Sequence, residues 1–125
     1  MLREAAHGKP FLDGVDPARG WAFNLTHSGA TALIALAPPT GVPRHIGIDL
    51  EALRPLPDAA ALAAAHFTPA ELAALPAPES AGYLSAFFMG WTRKEACLKA
   101  LGWGLAIAPS AVDAGVTPEL RQVRV

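Results

Sequence analysis

The stretch Phe87-Phe88-Met89-Gly90-Trp91-Thr92-Arg93-Lys94-Glu95-Ala96-Cys97-Leu98-Lys99-Ala100-Leu101-Gly102-Trp103-Gly104 decides how the chain folds. Apolar residues at 84, 87, 88, 91, 98 and 101 recur at three- and four-residue steps, the spacing of a helix with one packed face. Glu95 stands one turn beyond Trp91 and Lys99 one turn beyond Glu95. Both charges therefore run along or beside the packed stripe, whereas Arg93 and Lys94 point elsewhere. Taken alone, the pair reads as an exposed contact contributing a few tenths of a kcal/mol. Gly102 is suited to cap this helix at its C-terminal end. The helix begins near Pro78-Glu79-Ser80, with Gly82 and Gly90 as points where a neighbour can come close.

Upstream, Thr68-Pro69-Ala70-Glu71 gives three agreeing helix-start signals: Thr68 as N-cap, Pro69 at the first position and Glu71 in the capping-box slot. That short helix ends near Leu75-Pro76, and an alanine-rich helix precedes it from Asp58 to His66. Before these, His45-Ile46-Gly47-Ile48-Asp49-Leu50-Glu51 alternates like a strand, with Gly47, Asp49 and Glu51 on one face. Two carboxylates so placed have Cβ atoms about 7 Å apart and repel each other. Either they lie on a solvated strand face or a cation sits between them. Gly47, lacking a side chain, leaves room for a ligand beside them.

From Trp21 to Ala37 two strands are expected, one through Phe23 and Leu25 and one over Thr31–Ala37, separated by Thr26-His27-Ser28-Gly29. His27 is either a structural hydrogen bonder or, with the hydroxyls of Thr26 and Ser28, part of an anion clamp. A serine-histidine hydrolase is disfavoured, because no strand-to-helix nucleophile turn surrounds Ser28. Residues 1–20 read as a loop-rich opening, in which Lys9 is by default a solvated surface lysine. One further strand is expected near Ala111–Val116, and Gln122–Val125 at a sheet edge.

The chain's 125 residues suit one domain, residues 1–125. Strands followed by helices make it α+β, with a small antiparallel β-sheet packed on the long helix. A net charge of −1 argues against a broad nucleic-acid or membrane-surface footprint. Arg93, Lys94 and Lys99 nevertheless cluster within two turns, enough for a phosphate-bearing small molecule. The single cysteine, Cys97, excludes an internal disulfide and reads as a small packing residue. With no signal peptide or apolar span visible, a cytoplasmic location is expected.

Paired carboxylates, a helix with Glu95 and Lys99, and a polar turn with His27 together suit a hard cation bridging to phosphate. Asp49, Glu51 and Glu95 supply oxygens in that arrangement, while Lys99, His27 and Thr26 hold phosphate. The chemistry it supports is attack on phosphorus, with a carboxylate accepting the nucleophile's proton.

Gly8-Lys9-Pro10, Phe23-Asn24-Leu25-Thr26-His27-Ser28-Gly29, Gly47-Ile48-Asp49-Leu50-Glu51, Phe67-Thr68-Pro69-Ala70-Glu71 and Trp91-Thr92-Arg93-Lys94-Glu95-Ala96-Cys97-Leu98-Lys99 occur in that order. In this the chain resembles 4'-phosphopantetheinyl transferases of the surfactin-synthetase-activating type, over residues 8 to about 112. The resemblance implies Mg²⁺-dependent transfer of the phosphopantetheine arm of coenzyme A to a serine of an acyl or peptidyl carrier protein, releasing adenosine 3',5'-bisphosphate. It further implies Asp49, Glu51 and Glu95 as magnesium ligands, with Glu95 also activating the carrier serine. Lys99 is implied on the diphosphate, and Thr26, His27 and, more weakly, Lys9 at the 3'-phosphate end of coenzyme A. Thr26 stands where the family usually has serine.

Members of that type are pseudo-dimers of two similar halves, and the resemblance implies that the chain corresponds to one half, without the N-terminal one. The length instead matches shorter carrier-protein synthases, which assemble as trimers with sites between subunits, so a homo-oligomer completing the site is expected. The other readings are a half-length remnant that binds coenzyme A or a carrier protein without turnover, and a purely structural α+β domain.

Overall fold

A computed structural model of the chain describes residues 2–4, 10–12, 20–39, 45–102 and 106–123. Strand β1 (Leu2–Glu4) pairs antiparallel with β2 (Pro10–Leu12), and β3 (Ala22–Ser28) pairs antiparallel with β4 (Thr31–Ala37). Three helices follow: α1 (Ala59–His66), α2 (Pro69–Ala74) and α3 (Tyr83–Leu101), then a 3-10 turn at Pro109–Ala111. The class is α+β, as the order of elements implies. No helix among the described residues is long and apolar enough to cross a membrane.

Three local expectations are corrected. Residues 1–20 contain β1 and β2, strands of 3 residues each, too short for period-2 alternation to show. The β3–β4 hairpin turns over Gly29-Ala30 alone, with Gly29 at φ +57°; Thr26, His27 and Ser28 stay within β3. The tail strand near Ala111–Val116 gives way to the 3-10 turn and irregular chain, and Gln122 and Val123 are not in a strand.

The antiparallel register puts Phe23, Leu25 and His27 on one face with Leu36, Ile34 and Ala32, and Asn24, Thr26 and Ser28 on the other. On the first face Leu25, Ile34, Leu36 and His27 are exposed. The second turns inward, with Asn24 and Thr26 buried.

Helix α3 collects the core. Tyr83, Phe87, Phe88, Gly90, Lys94 and Leu98 are buried, and the Phe87 ring stacks on Phe67 at 5.4 Å and on Trp91 at 5.8 Å. Ala59 and Ala63 of α1 and Val116 of the tail complete the cluster. Gly90 behaves as the sequence implies: a Cβ there would meet the Phe67 ring and Val116 at about 2.9 Å. Gly102 ends α3 at φ +68°, donating its N–H to the carbonyls of Leu98 and Lys99. The capping box of α2 forms in full: the Glu71 N–H reaches Thr68 Oγ1 at 3.2 Å and the Thr68 N–H reaches Glu71 Oε2 at 2.8 Å.

The buried line of α3 runs 87, 90, 94, 98, so it passes through Lys94 rather than beside it. Lys94, expected to point away from the packed stripe, lies on it. Its ammonium lies 2.6 Å from Glu71 Oε2, with both side chains essentially inaccessible, and donates to the carbonyls of Pro109 and Val112. The other oxygen, Glu71 Oε1, accepts the N–H groups of Ala114 and Gly115 at 2.8 and 3.0 Å. One buried ion pair thus ties α2, α3 and the tail together. Arg93 is likewise occupied, donating to the carbonyls of Ala114 and Glu119. The basic cluster Arg93, Lys94 and Lys99 is therefore not available as a unit to a phosphate. Cys97 packs beside Leu98, Val112 and Ala114, and burial pushes its thiol pKa up.

Candidate functional site

Segment 45–52 passes between β3 and α3 without joining a backbone ladder. Its alternate N–H groups are taken by side chains instead: Ile48 N–H by Asn24 Oδ1 at 2.8 Å, Leu50 N–H by Thr26 Oγ1 at 3.3 Å and Ala52 N–H by Ser28 Oγ at 3.1 Å. The strand expected there keeps its two-residue period and is extended, but it is not a strand of either sheet. Side-chain acceptors on β3 have replaced the carbonyls a ladder needs.

On its other side the segment lies against α3 at Gly47. A Cβ at this position would strike the Ala96 carbonyl and the Ala100 N–H. Gly47 thus makes room for the helix rather than for a ligand, which corrects the expectation above. Gly47→Ala is expected to cost about 1–3 kcal/mol, since backbone cannot rotate out of the way; urea denaturation checks it, and an unchanged midpoint would refute the close approach.

That approach brings Asp49 to Lys99. Lys99 Nζ lies 2.7 Å from Asp49 Oδ1 and donates to the Ile48 carbonyl at 3.0 Å. Thr26 Oγ1 donates to the same carboxylate oxygen at 3.4 Å. Asp49 Oδ2 is buried without a hydrogen-bond partner among the described residues. Glu51 pairs with Arg54 at 3.0 Å, a half-exposed contact of low energetic weight.

Glu95, half-buried on α3, faces this group. Burial raises its pKa first; the charge of Asp49 adds to the rise, Lys99 opposes it, Glu51 adds further and His66 opposes. The structure therefore brings Asp49, Glu51, Glu95 and Lys99 into one electrostatic neighbourhood. His66, which the sequence reading passed over, belongs to it as well, its ring edge-on to Trp91 at 5.5 Å. Its position on the last turn of α1 carries no local signal of that proximity.

The donors suit a hard cation: three carboxylates, one with a buried unpaired oxygen and one made more basic first by burial and then by the charge of Asp49. Among the described residues, however, no three His, Cys, Asp or Glu side chains are gathered in a ready-made metal-holding arrangement. Lys99 and Arg54 occupy Asp49 and Glu51 instead. Thr26 and His27 lie on opposite faces of β3: the Thr26 hydroxyl is turned inward onto Leu50 and Asp49, and His27 is exposed. The hydroxyls of Thr26 and Ser28 and the His27 imidazole do not converge. Lys9 lies outside the described residues.

Comparison with known proteins bears on the same segment. The chain is 43% identical over 101 residues to the 4'-phosphopantetheinyl transferase HetI of Nostoc, covering 81% of this chain and 41% of HetI. It is 34% identical over 113 residues to the 4'-phosphopantetheinyl transferase AcpT of Salmonella typhi, covering 88% and 55%. Against the L-aminoadipate-semialdehyde dehydrogenase-phosphopantetheinyl transferase of Schizosaccharomyces pombe it is 33% identical over 111 residues, covering 82% and 42%. The chain thus spans 41 to 55% of the length of these relatives. The family model described as the 4'-phosphopantetheinyl transferase superfamily matches residues 45–122, more than half of the chain and the part that carries Asp49, Glu51, Glu95 and Lys99. On that match the chain belongs to the 4'-phosphopantetheinyl transferase superfamily.

Proposed function

We propose that the chain is a Mg²⁺-dependent 4'-phosphopantetheinyl transferase of the surfactin-synthetase-activating type that moves the phosphopantetheine arm of coenzyme A to a serine of an acyl or peptidyl carrier protein. The observation that carries the reading is Asp49, its Oδ1 held by Lys99 at 2.7 Å and its Oδ2 buried without a partner among the described residues, on a segment packed against the helix that carries Glu95.

In this reading Asp49, Glu51 and Glu95 hold Mg²⁺, which when bound neutralises charge developing on the phosphate oxygens. Lys99 takes a diphosphate oxygen. His27 contacts the 3'-phosphate end of coenzyme A, with Thr26 and Lys9 as the further contacts there; Thr26 gives up its bond to Asp49 to do so. The carrier serine oxygen attacks the diphosphate phosphorus next to the pantetheine, and the P–O bond to adenosine 3',5'-bisphosphate breaks. The serine proton passes to Glu95 directly or through a water. A carboxylate whose pKa is raised by burial and by neighbouring charge is a better acceptor for that proton.

With Arg93 and Lys94 engaged elsewhere, further cations for the coenzyme A phosphates come from a second copy of the chain, which also covers the exposed Leu25, Ile34 and Leu36. The same engagement favours one other reading, a half-length remnant that binds coenzyme A or a carrier protein and does not turn over. Mass spectrometry of apo carrier protein incubated with coenzyme A and Mg²⁺, run on fractions of known mass in solution, separates the two. Addition of the arm by an oligomeric fraction is expected. Coenzyme A affinity with no addition by any fraction would favour the remnant.

A further inference from the structure

We propose that Asn24 is a positioning residue for Asp49, acting through a row of side chains that sets the register of segment 45–52; this rests on the metal assignment above. Asn24, Thr26 and Ser28 are successive same-face positions of β3, and they accept from the N–H groups of Ile48, Leu50 and Ala52. Each pair is separated by 24 residues, so the segment runs parallel to β3. Nothing in a two-residue repeat distinguishes one register from the next. A slip of two residues would carry Asp49 about 6–7 Å from Lys99, and a slip of one would turn its carboxylate to the other side.

The Asn24 contact is the anchor of the row. It is the shortest of the three, and Asn24 is 5% exposed whereas the Ser28 contact is solvent-exposed. Before coenzyme A binds, Thr26 also links register to carboxylate, because one hydroxyl accepts from Leu50 N–H and donates to Asp49 Oδ1. Gly47, against Ala96 and Ala100, fixes the segment's depth on α3. Asn24 touches no reacting group; it acts by placing Asp49.

The experiment compares Asn24→Leu, Asn24→Ala and Asn24→Ser with the unmodified chain in four readouts: thermal melting, Mg²⁺ affinity by calorimetry in the presence of coenzyme A, the amide shift of Ile48, and transfer. Outer-shell partners of a metal site are typically responsible for about 10–100-fold in affinity. Asn24→Leu and Asn24→Ala are expected to weaken Mg²⁺ by that order and move the Ile48 amide upfield. Asn24→Ser, which keeps an oxygen acceptor of the kind Ser28 offers to Ala52, recovers part of both. A purely structural role would lower the melting temperature and leave Mg²⁺ affinity of the folded chain unchanged, overturning the proposal. Should Asn24→Leu not fold, the Asn24→Ala and Asn24→Ser pair decides alone. An unmodified chain that binds no Mg²⁺ would sink the metal assignment and this proposal together, whereas unmodified binding matched by both apolar variants would sink the positioning role only.

Discussion

Glu95→Ala is expected to lower transfer to a carrier serine by about 10²–10⁴-fold, the usual contribution of a positioned proton acceptor. Asp49→Ala should do comparable damage by removing a carboxylate that Lys99 and Thr26 both hold. The two differ in stability. Glu95 is half-buried, with its pKa raised by that burial and by Asp49 and Glu51, so its charged form is disfavoured where it stands. Removing it relieves repulsion, and Glu95→Gln should fold at least as stably as the unmodified chain. Asp49→Ala instead leaves Lys99 without its ion-pair partner and exchanges a held segment for a looser one. Single-turnover transfer followed by mass spectrometry, with circular dichroism on the same samples, tests both statements. A wild-type rate in either variant would refute the corresponding assignment. Loss of rate with unchanged or increased stability in Glu95→Gln is the pattern of a group kept for chemistry at a cost to the fold.

What could be read from the sequence was what neighbours in sequence determine. Thr68, Pro69 and Glu71 lie within four residues, and their capping box formed as expected. Gly102 follows α3 by one residue and adopts the left-handed conformation a C-cap needs. Glu95 and Lys99 lie on one helix, and their place beside the packed stripe follows from the helical repeat. The meeting of Lys99 with Asp49, 50 residues earlier, follows from no local pattern; the resemblance implied only that both serve one site. Asn24 shows the limit clearly. As a residue in a strand it reads as a polar interruption, and its purpose appears only once Ile48 N–H arrives 24 residues later. Gly47 was read in the right place for the wrong reason, since a glycine admits a helix as readily as a ligand.

The largest stability effect is expected from Lys94→Met, which leaves Glu71 as an uncompensated buried charge. Breaking a buried ion pair by removing one partner typically costs about 3–5 kcal/mol, a large share of the 5–15 kcal/mol that holds a domain of this size. The carbonyls of Pro109 and Val112 lose their donor at the same time. Adding Glu71→Gln should recover part of the loss, because the amide oxygen still accepts from Ala114 and Gly115 while the stranded charge is gone. The pH dependence has a definite sign. Burial pushes Glu71 up, but hydrogen bonds from Lys94 and from the N–H groups of Thr68 and Ala114 outweigh it and hold the carboxyl below its ordinary value. A depressed carboxyl contributes stability above its unfolded pKa, near 4.3, and loses it as pH falls through the folded value. In Lys94→Met burial is no longer opposed by the ammonium, so Glu71 titrates higher and its protonation relieves the stranded charge. The gap between the two proteins in urea denaturation should therefore be widest near neutral pH and narrow toward pH 4. A gap under about 1 kcal/mol at neutral pH, or one that widens in acid, would show that Glu71 and Lys94 are not the buried pair that fixes α3.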